Sequence, residues 1–359
     1  MTHLLPPMRC TFEAIAEDQP GVQWQRKFAQ FWPGYRRWFL RDGSRGRPGY
    51  LACRKAMRTH MPELVPTWES LVDLAGGGDV EARFLSMWSP PPYISGCAQA
   101  IFLPPVGVPG TTAALLRNYD FAPALLEGTW LASRWTGPRV VAMLDCLWGA
   151  LDGVNEHGLA ASLAFGGRHA VGDGFGIPLV LRYVLECASS VDEAVQILQR
   201  VPVHMSYTIS LLDRACRSAT VFVAPDRPTE IVARRSVSNL QHGVEWVAHA
   251  NATRAELRAN TLETALRAAV DHRDVVRALL RPPLFQTSYA RGYGTLYTAA
   301  YHPHDASVEL LWTESAWRQS CTSFTPGVRT IEFRSGNADM ALRPIEPMQR
   351  WSLNDVGTF

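Results

Sequence analysis

A cysteine preceded by glycine, Gly96-Cys97, stands about twenty residues ahead of an arginine and an aspartate in Arg117-Asn118-Tyr119-Asp120. These residue types suit acyl transfer. A thiolate is a strong nucleophile, a neighbouring guanidinium favours thiolate over thiol, and a carboxylate can hold an amine or orient the guanidinium. Glycine before the cysteine adds a second chemistry. Its carbonyl is open to attack, and its backbone tolerates the conformations that an N-to-S acyl shift requires. Hydrolysis of the resulting thioester would free the α-amine of Cys97, whose ordinary pKa of roughly 7.7–8.0 lets it deprotonate its own thiol near neutral pH. One residue would then be both nucleophile and base. The ordinary alternative is a small buried cysteine beside a surface ion pair.

Such a site needs a hairpin. Residues 98–103 are apolar and strand-like, residues 104–110 supply turn and breaker residues, and residues 111–116 are again strand-like. A tip near Gly107 sets Cys97 opposite a residue near 117, which returns Arg117 and Asp120 to the sulfur. Upstream, residues 1 to about 88 read as predominantly helical, and Ser89-Pro90-Pro91-Pro92 breaks the pattern just before the pair. Segment 1–96 is therefore expected to be a helical prosegment or small subunit, and 97–359 the catalytic domain. Downstream, strands are expected at 140–144, 159–165, 206–212, 219–223, 230–234 and 245–249, and helices at 177–187, 191–200 and 253–280. Ser190 with Glu193 has the spacing of a capping box. A final hairpin is expected around His302-Pro303-His304-Asp305. Strands, helices, strands, helices and strands in that order fit a layered α+β domain with two sheets between helical layers.

Composition excludes several classes. The chain has 359 residues, 47% hydrophobic and 19% charged, values ordinary for a globular enzyme. No stretch approaches the roughly 18 apolar residues of a membrane span. No basic region followed by an apolar run opens the chain, so a cytoplasmic location is the expectation. Seven scattered cysteines without Cys-x-x-Cys spacing indicate neither a disulfide framework nor a metal site. Formal net charge is +2 with basic and acidic residues interspersed, which argues against a nucleic-acid partner.

The order Gly96-Cys97, Arg117-Asn118-Tyr119-Asp120, Asn155-Glu156-His157-Gly158-Leu159 and His249-Ala250-Asn251 resembles the N-terminal-nucleophile (Ntn) hydrolases of the choloylglycine hydrolase and acyl-coenzyme A:isopenicillin N (6-aminopenicillanic acid) acyltransferase type. The resemblance spans residues 93–312. It implies a four-layer αββα sandwich, self-cleavage at Gly96-Cys97, and a cysteine amidohydrolase acting on an N-acyl small molecule through a thioester. It implies no cofactor or metal and a prosegment that stays associated after cleavage. By motif, Cys97 is the nucleophile, Arg117 and Asp120 contact its thiolate and amine, and Asn251 donates to the oxyanion. Asn251 also suits an N-cap of a helix beginning at Ala252. Asn155 is read as structural and His157 as a surface group.

Two departures stand out. Bile-salt-hydrolase-like members have a second oxyanion asparagine where this chain reads Ala164-Phe165-Gly166-Gly167, and many have Ser or Thr where it has Ala98. Three further readings stay open. They are an acyl-CoA-dependent N-acyltransferase on the same scaffold, an unprocessed non-catalytic binding protein, and a Cys-His protease using His249.

Overall fold

The computed structural model describes residues 7–105 and 110–335, so the hairpin tip expected near Gly107 lies outside the described residues. The chain opens with a strand, β1 (Met8–Glu17), followed by helices α1 (Val22–Phe39), α2 (Tyr50–His60), α3 (Val65–Leu74) and α4 (Asp79–Leu85). Strands β2 (Gly96–Phe102), β3 (Ala114–Phe121), β4 (Thr129–Ser133), β5 (Val140–Asp145), β6 (Gly149–Asn155) and β7 (Ala160–Phe165) come next. Helices α5 (Ile177–Cys187) and α6 (Val191–Arg200) precede β8 (Tyr207–Leu212), β9 (Ser218–Ala224), β10 (Arg227–Val232) and the short β11 (Ser236–Val237). Helices α7 (Val247–Thr253), α8 (Ala255–Ala268) and α9 (His272–Leu279) lead to β12 (Gly294–His302), β13 (Ser307–Trp312), β14 (Ser315–Ser320) and β15 (Gly327–Phe333).

Among the described residues, the strands form two sheets, ordered β10-β9-β8-β7-β6-β5-β4-β1-β15 and β11-β2-β3-β12-β13-β14. Side-chain alternation assigns the layers. On β2, Ala98, Ala100 and Phe102 pack with Leu262, Val275 and Leu279 of α8 and α9. Cys97 and Ile101 face the other way, into the core between the sheets. Strands β2 and β3 lie against β7 and β8, while α5 and α6 cover the far side of the larger sheet. The result is the αββα sandwich.

The N-terminal segment departs from the helical expectation at its start. Cys10, Phe12 and Ala14 are buried while Arg9 and Thr11 are exposed, the period-2 pattern of a strand. Strand β1 pairs in parallel with β4 and antiparallel with β15, so it is an interior strand of the larger sheet. Three indoles tie the neighbouring regions together. Trp24 Nε1 donates to the Leu147 carbonyl at 3.0 Å, Trp135 Nε1 to that of Glu17 at 2.8 Å, and Trp148 Nε1 to that of Leu85 at 2.9 Å.

Two local readings also change. Residues 245–249 are not a strand: α7 begins at Val247, where Ala248, Ala250 and Ala252 favour helix and Trp246 stacks on His249 at 5.1 Å. The capping box is formed in one direction. Ser190 Oγ accepts from the Glu193 amide at 3.4 Å, but Glu193 Oε2 takes the Ser189 amide at 2.7 Å instead.

Candidate active site

Cys97 lies on β2 and is fully buried, with both its backbone and its sulfur engaged. Its amide donates to Asn239 Oδ1 at 3.0 Å, its carbonyl accepts from Ser238 Oγ at 3.3 Å, and its sulfur accepts from Arg117 Nη2 at 2.9 Å. The hairpin register differs from the sequence reading by two residues. Tyr119 is opposite Cys97, and Arg117 is opposite Gln99. Because residues two apart share a face, Arg117 still stands on the sulfur's side of the sheet and its long side chain spans the offset.

What aims Arg117 comes from both sheets. Its Nη1 donates to the Leu151 carbonyl at 2.7 Å and to Asp152 Oδ2 at 2.6 Å, and its guanidinium lies over Tyr119 at 5.1 Å. Asp152, on β6, also accepts from Tyr297 at 2.6 Å and from Tyr301, both on β12. Burial alone would weaken the Arg117 cation, yet Cys97 and Asp152 raise its pKa above the ordinary arginine value. For Cys97, burial pushes the thiol pKa up; the opposing pull of Arg117 only partly offsets this. With its amine tied up as an amide, Cys97 is held as a buried thiol beside a cation.

Asp120 is opposite Gly96, one residue from Cys97. Its carboxylate accepts from Arg258 of α8 and from Thr295 Oγ1 at 2.6 Å, on the face toward α8 and α9. Gly96 itself is required sterically: a Cβ there would lie 1.7 Å from the Tyr293 hydroxyl and 3.2 Å from Asp120 Cβ. The Tyr293 hydroxyl is buried beside Asp120 and Arg258.

The asparagine brought to Cys97 is Asn239, not Asn251. Strand β11 pairs Val237 with Gln99, so the next two residues run past Cys97. Asn239 is fully buried, and its Nδ2 donates to the carbonyls of Phe165 at 3.2 Å and Ser95 at 3.5 Å. Asn251 is exposed within α7, four residues after its first turn begins, so it neither caps that helix nor joins the hydrogen bonds around Cys97. Asn155 is structural, as read. Its Nδ2 donates to the Leu185 and Ala188 carbonyls at 3.0 and 2.7 Å, which fastens the end of α5 to the β6–β7 turn.

The departures acquire a spatial meaning. Ala98 points into the layer under α8 and α9, away from the sulfur, so a hydroxyl there would face the opposite side of the sheet. Ala164 is buried on β7 and contributes no donor. His249 is buried against Phe165 at 5.0 Å, and burial lowers its pKa to about 4. Sulfur's polar partner is Arg117, which disfavours a Cys-His pair. Among the described residues no cluster of His, Cys, Asp or Glu is arranged to hold a metal, and no helix is long and apolar enough to cross a membrane.

Residues 108–317 match the family described as acyl-coenzyme A:6-aminopenicillanic acid acyl-transferase. The chain belongs to this family. The matched stretch holds Arg117, Asp120, Asp152, Asn239 and Arg258 but begins after Cys97. Among solved structures, the chain is similar to a penicillin V acylase from Agrobacterium tumefaciens, with 16% identity over 70% of this chain and 98% of that one and a TM-score of 0.45. It is also similar to two variants of a conjugated bile acid hydrolase from Clostridium perfringens, at 11% and 12% identity and TM-scores of 0.43. They cover 66% and 67% of this chain, and 97% and 98% of their own. No curated protein matches the sequence.

Proposed function

We propose that the chain is a self-processing cysteine amidohydrolase whose nucleophile is freed by scission between Gly96 and Cys97. In the scission, Cys97 Sγ bonds to the Gly96 carbonyl carbon as the C–N bond breaks, and water then hydrolyses the thioester to leave a Gly96 carboxylate and a Cys97 α-amine. In the mature site that amine takes the thiol proton, the thiolate attacks an N-acyl substrate, and the proton passes to the leaving nitrogen. Water as acceptor completes hydrolysis. Arg117 stabilises the thiolate, Asn239 Nδ2 serves the oxyanion, and Asp120 with Arg258 flanks the new amine.

The observation that carries this reading is the 2.9 Å contact from Arg117 Nη2 to Cys97 Sγ, on a strand whose preceding residue has no room for a side chain. Burial of both Gly96 and Cys97 supports an intramolecular cut over an external protease. The interior position of β1 supports a prosegment, residues 1–96, that stays bound to the catalytic domain, residues 97–359.

N-terminal sequencing and intact mass under denaturing conditions test the reading. A fragment beginning at Cys97, absent from Cys97→Ala, is expected. A single intact chain in both would support the unprocessed binding protein instead. The family description favours acyl transfer as a second reading, with an acyl-CoA donor and an amine acceptor. Adding a primary amine to the acyl-enzyme separates the two: transfer yields a new amide, hydrolysis a free acid.

A further inference from the structure

Glu127 is the exception among the buried acids. Asp120, Asp152, Glu186 and Asp213 each pair with an arginine, whereas none of the ion pairs among the described residues includes Glu127 or its neighbour Asp145. Glu127 is only 6% exposed. Both carboxyls meet at the Tyr35 hydroxyl; Glu127 also accepts the Leu147 amide at 2.9 Å, and Asp145 lies beside the Tyr93 hydroxyl as well. Tyr35 contacts Glu127 Oε1 and, at 3.1 Å, Asp145 Oδ1, while it accepts the Cys146 amide at 3.0 Å. A hydroxyl carries one proton and can donate to only one of them. Neither carboxyl has a cationic partner, and two close carboxylates repel, so a shared proton or a bound cation stabilises the pair.

These acids line a cavity of about 470 Å³ between α1, residues 92–94, the segment after β3 and the turn at 291–293. Its volume falls in the range of small-molecule sites. Phe31, Trp38, Phe121 and Leu126 supply apolar walls. Tyr293 also lines it, 5% exposed, with its hydroxyl against Gly96. Arg37, Arg41 and Arg291 lie on the same cavity, and Arg37 is exposed at its mouth. Arg41 has a carboxylate of its own, Asp42 at 3.5 Å, whereas the two carboxyls on the cavity have no cation. Lys27, which also acts on Glu127, is already paired with Glu13 at 2.5 Å.

We infer that this cavity binds an organic amine with an apolar or aromatic body, its ammonium seated between Glu127 and Asp145. As a substrate class this rests on the proposed function and specifies N-acyl compounds that carry a cationic amine at the far end. The binding itself does not depend on Cys97 chemistry.

Calorimetric titration of the full chain with 2-phenylethylamine and with its neutral isostere 2-phenylethanol tests it. The amine is expected to bind about tenfold or more tightly than the alcohol, the size of a hydrogen bond to a charged group. That preference should vanish in Glu127→Gln/Asp145→Asn. Gly34→Phe guards against a double variant that fails to fold. Gly34 lines the cavity, a Cβ there meets nothing within 4 Å, and the bulky side chain should weaken binding of both probes. Equal binding of amine and alcohol, a preference that survives the double variant, or binding unaffected by Gly34→Phe would overturn the inference. An amine preference in an uncleaved chain would keep this site and sink the proposed function; a cleaved, active chain without it would do the reverse.

Discussion

The hydroxyl of Tyr293 stands where a side chain on residue 96 would begin, 1.7 Å from the position of a Cβ. Glycine is therefore demanded at the proposed cut by packing as well as by chemistry. In a Cys97→Ala background, where cleavage cannot intervene, Gly96→Ala should lower stability by about 1–3 kcal/mol, the usual cost of overpacking. Tyr293→Phe removes the nearest atom and should recover part of that loss. A thermal-melt double-mutant cycle reads the coupling, and strictly additive effects would contradict the contact.

Asn239 and Asn251 offer a direct contrast between a buried and an exposed asparagine. Asn239→Ala should reduce turnover of an N-acyl substrate on the order of a hundredfold, as loss of one oxyanion donor does. Asn251→Ala should stay within about twofold of wild type, as exposed substitutions usually do. Steady-state rates of the two variants on fully processed protein decide it. The reverse ranking would return Asn251 to the site.

Asp152 carries the aim of Arg117. Asp152→Asn leaves a fully buried guanidinium without its counter-charge, a loss of about 3–5 kcal/mol for a broken buried pair. Tyr297→Phe removes one hydrogen bond to the same carboxylate and should cost about 1 kcal/mol. Urea denaturation with unchanged slopes would measure both, and equal midpoints for the two variants would refute the ranking.

Stability should fall as pH rises across the weakly acidic range because of the buried acids. Burial, reinforced by the charge of Asp145, lifts Glu127 from 4.5 to about 7, and burial lifts Asp145 from 3.8 to about 6. The folded chain then holds protons that the unfolded chain has released. Their contribution is full below the unfolded values and is lost as pH climbs through about 6 to 7. The urea midpoint of wild type minus that of Glu127→Gln/Asp145→Asn, followed from about pH 4 to about pH 8, should decline. A flat or rising difference would show the acids to be ionised throughout.

Legibility followed sequence distance. Cys97 and Arg117 could be paired on paper because a hairpin links neighbours, and even a two-residue error in register kept both on one face. Asp152 could not, since its contact with Arg117 crosses between sheets and no periodicity says which strands will face each other. Asn239 was hidden by the brevity of β11, two residues with no pattern to read. Nothing in the spacing sets Arg258 apart from the other arginines of its helix, yet it is fully buried against Asp120. The alternation in β1 rests on Cys10, Phe12 and Ala14 alone, a short signal ahead of four helices.

The position of β1 between β4 and β15 has a thermodynamic consequence. Pulling the N-terminal piece away from a cut molecule would strip hydrogen-bonding partners from two strands at once and create two raw sheet edges, the surfaces on which chains aggregate. Separating the pieces and unfolding the protein then become one event. If the chain is cut as proposed, the affinity of its fragments and its conformational stability are a single quantity, and dilution would reveal it as a concentration-dependent melting temperature.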